Sequence, residues 1–276
     1  MVWNNSRLCA DRPRKVLPIP GSRRILSTFE YPFNESVRTW LRLEHLLSRL
    51  AELVGRDGVI DHHYALATLF EVMDVTSRAD LKLELLQELE RQRQTLASYR
   101  GNPAISEAAL DRAIRRIDLA HQRLGQTSGK AGQALTANDF LMSVRSRIGI
   151  PGGTCAFDLP AYAAWQAEAA ETRRGDLQRW LSTLEPLAQA CGVALDLLRE
   201  SGLRQTQLVR GGHLQQSLPA GRNFQLARIH LSDELGMVPE LSGNRLMLVV
   251  RLMRADADCR LRGVVEDVAI DVSLCA

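Results

Sequence analysis

The chain has 276 residues, 45 % of them apolar, which is enough to bury one large core or two modest ones. No apolar run approaches the roughly 18 residues of a membrane-spanning helix, and the opening residues, broken by charges from Arg12 to Lys15, do not read as a signal peptide. The net charge of +3 is unevenly placed. Residues 1–24 carry +5 and the rest −2, unlike the basic folded domain that a duplex binder needs.

The five cysteines, Cys9, Cys155, Cys191, Cys259 and Cys275, are odd in number and widely spaced. That spacing suits a reducing, cytoplasmic compartment better than a disulfide framework or a zinc site. Of the 35 cationic residues all but Lys15, Lys82 and Lys130 are arginine. Genomic base composition explains such a bias, so the placement of the arginines carries more meaning than their number.

Residues 1–24, with Pro13, Pro18, Pro20 and Gly21, read as a flexible basic extension. Ile25 to Tyr31 is β-like and could join a later sheet. Helical periodicity dominates the span 25–204. A first helix is capped by Asn34 and runs to about Val54; a second starts at Asp61 and ends near Val75. A third, capped by Asp80, stops before Gly101-Asn102-Pro103. Ser106 caps a fourth that ends at Gly125. A fifth covers about Ala137 to Ile148. One more is expected from Ala161 to Thr172, and a last from about Asp176 to Arg204 with a bend at Pro186.

From residue 205 to 276 the period changes to two. Thr206 to Arg210 and His213 to Leu218 read as a hairpin turning at Gly211-Gly212. Phe224–Leu231, Arg245–Met253 and Val268–Leu274 are further strands, the middle one apolar enough to be buried on both faces. The expected class is α+β: a mainly helical domain followed by a small antiparallel β-sheet domain.

At about 100° per residue, Arg38, Arg42, His45 and Arg49 share one sector of the first helix, opposite Trp40, Leu43, Leu47, Leu50 and Val54. Two readings fit. The stripe is either a solvated face whose arginines pair with neighbouring acids, or an anion-binding surface gripping carboxylates.

The segment around this stripe, Glu30-Tyr31-Pro32-Phe33-Asn34-Glu35-Ser36-Val37-Arg38-Thr39-Trp40-Leu41-Arg42-Leu43-Glu44, resembles the start of the ZapD family of bacterial cell-division proteins. Two later segments agree in the same order, Glu84 to Gln92 and Ile150 to Pro160, and Leu241-Ser242-Gly243 is a weaker late match. The resemblance implies a homodimer, without enzymatic activity or cofactor, that works at midcell. There it would bind the C-terminal tail of FtsZ and bundle its filaments through two sites per dimer. Arg38 and Arg42 fall within the motif. Arg78, Lys82, Arg145 and Arg147 are further candidates for the same pocket. Asp139 and Ala163 stand where the family pattern has a basic residue and a histidine, which would make this pocket less cationic. The basic extension lies outside the pattern and reads as an upstream start; a second contact to acidic partners or membrane is the alternative.

A nucleic-acid-binding protein using the extension and the arginine helix is the rival class. An enzyme has no residue constellation behind it. The Gly152-Gly153-Thr154-Cys155 loop lacks a phosphate-loop sequence and a partner base, and reads as a glycine-shaped loop around a small buried thiol. His62-His63 point about 100° apart on a helix and make a poor metal site.

Overall fold

A computed structural model describes residues 26–276 apart from 79, 131 and 220 and the side chain of Arg78. The basic extension lies outside the described residues. The fold is α+β, with nine helices and eight strands among those residues.

Strand β1 (Leu26–Pro32) leads directly into α1 (Glu35–Val54), whose cap is as expected: the Asn34 side chain accepts the backbone N–H of Val37 at 2.8 Å. α1 buries Val37, Trp40, Leu43, Leu46, Leu50 and Val54. It packs on α2 (Val59–Arg78) and on α9 (Glu185–Glu200). Helix α2 begins two residues before Asp61, because Gly58 supplies the first accepting carbonyl, to His62. α3 (Leu81–Ala97) and α4 (Glu107–Gln126) form an antiparallel pair laid on α9. The Ser106 cap accepts from Ala109, whereas the Asp80 side chain makes no cap bond.

The later helices differ from expectation in where they break. The span before Ile148 divides into a short α5 (Gln133–Thr136) and α6 (Asp139–Ile148), because Asn138 caps the second through the N–H of Leu141. The expected helix from Ala161 to Thr172 splits into α7 (Pro160–Ala167) and α8 (Ala170–Ser182). At that break Arg173 donates to the freed carbonyls of Gln166 and Glu168. Pro186 does not bend a helix but opens one: it sits in the first turn of α9, where its missing N–H costs nothing.

The β region forms two sheets, not one. The first has the order β1-β4-β8-β2, and the second β3-β6-β5 with β7 beside β6; all pairings are antiparallel. The strands are β2 (Leu203–Val209), β3 (His213–Ser217), β4 (Leu226–Ser232), β5 (Val238–Gly243), β6 (Met247–Ala255), β7 (Leu261–Gly263) and β8 (Val268–Cys275). The expected hairpin is instead a crossover. β2 and β3 belong to different sheets and share only the Arg210–His213 bridge. Gly212, at φ +72°, passes so close to the Val264 carbonyl that a Cβ would clash with it. Nor is β6 buried on both faces: Leu248, Val250 and Leu252 enter the core while Arg251 is exposed. β4 is the most enclosed strand, with Ala227, Ile229 and Leu231 between the sheets and Leu226 joining the helical core.

Two predictions follow from the packing. Trp40 is 2 % exposed at the centre of the helical core, so Trp40→Ala lowers the unfolding free energy by about 3–5 kcal/mol, measurable by urea titration. Stability also depends on pH. Arg173 donates to Nδ1 of His62, so that ring keeps its proton on Nε2, facing the Arg56 carbonyl. Burial holds His62, His63 and His230 below the ordinary value of 6.5. The unfolded chain therefore takes up protons first, and stability present above pH 6.5 is lost as pH falls toward the lower folded values. A melting temperature unchanged between pH 7.5 and 5.5 would contradict this.

Candidate functional site

The arginine stripe of α1 does not lie on an isolated convex face. It forms one wall of a groove of about 670 Å³ where α1, α2 and β1 meet. Glu30 and Pro32 come from β1, and Arg38, Thr39, Leu41, Arg42, His45 and Leu46 from α1. Glu71, Asp74 and Val75 come from α2. The rim is charged, and Leu41, Leu46, Val75 and Pro32 supply an apolar lining.

Why the groove has this shape is traceable to the quoted motif. The Tyr31 hydroxyl donates to the carbonyl of Gly243 and accepts its N–H, both at 3.1 Å, which ties β1 to the end of β5. A Cβ at Gly243 would stand 2.9 Å from the Phe33 ring, so the motifs Glu30–Glu44 and Leu241-Ser242-Gly243 meet in space. Glu30 is anchored from two sides. Arg199 of α9 donates to both its oxygens at 2.8 Å, and Arg228 of β4 adds a bond at 2.9 Å. The same Arg199 donates to both oxygens of Glu44 at 2.7 and 2.6 Å. These carboxylates raise the already high pKa of Arg199, so it is charged at every accessible pH.

The sequence-predicted residues divide into three groups. Arg38, Arg42 and His45 line the groove. Arg38 is committed in part to Glu35 at 3.1 Å and lies over the Tyr31 ring at 6.0 Å. Arg42 and His45 are exposed and, among the described residues, have no hydrogen-bond or ion-pair partner. Arg49 and Arg145 reach the groove through its acids: Arg49 donates to Glu71 at 2.6 Å and to Thr68 at 3.0 Å, and Arg145 to Asp74 at 2.6 Å.

The remaining candidates stand elsewhere. Lys82 donates to the Thr127 carbonyl at 2.6 Å and closes the end of α4. Arg147 is exposed, two residues beyond Arg145 on α6 and so roughly 200° around it. Arg78 ends α2, with its side chain outside the described residues. Neither Asp139 nor Ala163 lines the groove. Sequence reasoning missed Glu71 and Asp74, and it missed Arg199 and Arg228. The first pair lies on the α2 face turned toward the stripe, a signal available in principle; the second lies 169 and 198 residues from Glu30, with no local sign.

The other singled-out features take plain roles, with one correction. Cys155 is exposed, not buried, because the glycine loop turns outward; Gly153 is the enclosed residue, where a Cβ would meet the Arg147 carbonyl at 2.5 Å. Burial pushes the thiols of Cys191 and Cys275 up to about 12 and about 11, so both stay protonated at neutral pH. His63 bonds the Tyr162 hydroxyl at 2.7 Å within an aromatic cluster, and no metal-ligating cluster occurs among the described residues. No helix there is long and apolar enough to cross a membrane.

The architecture is a helical bundle joined to a two-sheet β unit, with a groove edged by Arg38, Arg42 and His45 at their junction. The chain belongs to the ZapD family: the family model, described as a cell division protein, matches residues 41–251. Among similar proteins are the cell division proteins ZapD of Cupriavidus taiwanensis and Cupriavidus necator. Each is 50 % identical over 248 residues, which cover 90 % of this chain and 98 % of theirs. The ZapD of Ralstonia pickettii is 49 % identical over the same shares.

Because Arg42 is exposed and makes no contact that the fold depends on, Arg42→Ala and Arg42→Glu should leave stability within about 0.5 kcal/mol of wild type. Thermal unfolding of the two variants checks this, and a large loss would mean that Arg42 is structural.

Proposed function

We propose that this protein is a non-enzymatic cell-division factor whose groove takes the C-terminal tail of FtsZ, and that a homodimer bearing two such grooves cross-links FtsZ filaments in the cytoplasm at midcell. The observation that carries the reading is Arg42. It stands exposed and without a partner among the described residues, beside His45, above the apolar lining of Leu41, Leu46 and Val75. A short segment that mixes acidic and apolar residues matches this combination. Its carboxylates meet a guanidinium able to bind in bidentate fashion, and its apolar side chains leave water. Family membership supports the same reading.

Cross-linking follows from valence. A single groove of this size holds a peptide weakly, but two grooves on one dimer make the second contact intramolecular, so bundles persist where each contact alone would not. The near-neutral body favours a peptide over a nucleic-acid backbone, which demands a broad cationic face.

Co-sedimentation with FtsZ and GTP tests the proposal. Wild-type protein increases the pelleted bundles, Arg42→Glu reduces the effect at least several-fold, and FtsZ lacking its tail is not bundled. Equal bundling of tail-deleted FtsZ would refute the groove as the tail site. A monomeric mass in sedimentation equilibrium at the bundling concentration would refute the two-groove mechanism.

A further inference from the structure

Three acids, Glu30, Glu71 and Asp74, line the groove, an odd provision for a site that takes an acidic segment. Unopposed, each would repel the ligand's carboxylates across a few ångströms of poorly screened space. None is unopposed. Glu30 accepts three bonds from Arg199 and Arg228, Glu71 accepts one from Arg49, and Asp74 one from Arg145. Against them stand Arg42 and His45 with no partner among the described residues.

We infer that Arg49, Arg145 and Arg199 are counter-ions that cancel the groove's own acids, leaving Arg42 to set its positive field, so that the groove selects an acidic peptide by local net charge. The inference rests on the groove being the FtsZ-tail site. Arg199 makes the case most clearly. It lies outside the groove lining, its side chain is 19 % exposed, and its donors are taken up by Glu30 and Glu44. It can influence a ligand only through the acid it holds, which makes it a positioning residue. Arg49, on α1, and Arg145, on α6, act likewise. Each holds its acid at 2.6 Å.

Two roles for Arg145 separate cleanly in a double-mutant cycle. Arg145 and Asp74 are both partly exposed, so the fold tolerates changes at either. The probe is a synthetic peptide of the FtsZ C-terminal tail, its binding to the full-length protein followed by fluorescence anisotropy at several salt concentrations. Arg145→Gln should weaken binding and Asp74→Asn should tighten it, each roughly three- to tenfold, with a steeper salt dependence for Asp74→Asn. The double variant should return to within about twofold of wild type, as its local charge is restored. Glu71→Gln, which keeps an oxygen to accept the bond from Arg49 at a half-exposed position, should also tighten binding.

If the double variant stays as weak as Arg145→Gln, the arginine touches the ligand directly and the counter-ion role is wrong. If Asp74→Asn and Glu71→Gln both leave affinity unchanged, the groove's acids do not matter and the inference falls. Failure of wild-type protein to bind the peptide at all would overturn the tail reading itself, and the inference with it. That outcome is distinct from a wild type that binds and a cycle that does not close.

Discussion

The structure depends on one guanidinium. Arg199, near the end of the last helix, spans the carboxylates of Glu30 on the first strand and Glu44 on the first helix, while Arg228 of β4 closes the set on Glu30. Two acids and two bases make a neutral, half-buried cluster, stable because every charge has a partner. Removing Arg199 would leave the Glu44 carboxylate without its partner at the seam between the modules. The cluster thereby fixes how β1 leaves the sheet to enter α1, and that exit angle forms one side of the groove.

Around this joint the molecule separates two kinds of work. The helices contribute an apolar core centred on Trp40, Leu43, Leu66 and Leu195, and the two sheets contribute another, between β4, β6 and β8. Neither core includes the groove's charged rim. Charged side chains can therefore be arranged at the rim by local pairing at little cost to the packing beneath. The same division explains why a groove with three acids can still present net positive character on the α1 side: pairing over short distances cancels charge where the field would otherwise be unfavourable.

Much of this was legible in the sequence. The cap at Asn34, the docking face of α1 and the stripe of Arg38, Arg42 and His45 came from helical periodicity alone, since cap chemistry and the 100° step are local properties. The β-like start was open to joining a later sheet, and it pairs with β4. Errors cluster where tertiary contact overrides local pattern. Arg173 stabilises a break between α7 and α8 by reaching back to two carbonyls. Gly211-Gly212 resembles a hairpin turn, yet it carries the chain from one sheet to the other because β2 finds a better partner in β8. Lys82 carries the right charge for the pocket but spends it on the end of α4.

The sequence by itself determined the class, the order of the modules and the helix that carries the cations, because periodicity and capping act over a few residues. The tertiary structure alone decided which cations remain free. Charge is a property of a side chain, but availability is a property of its neighbours, and those neighbours, Glu71, Asp74, Glu30 and Arg199, come from three elements brought together only by folding.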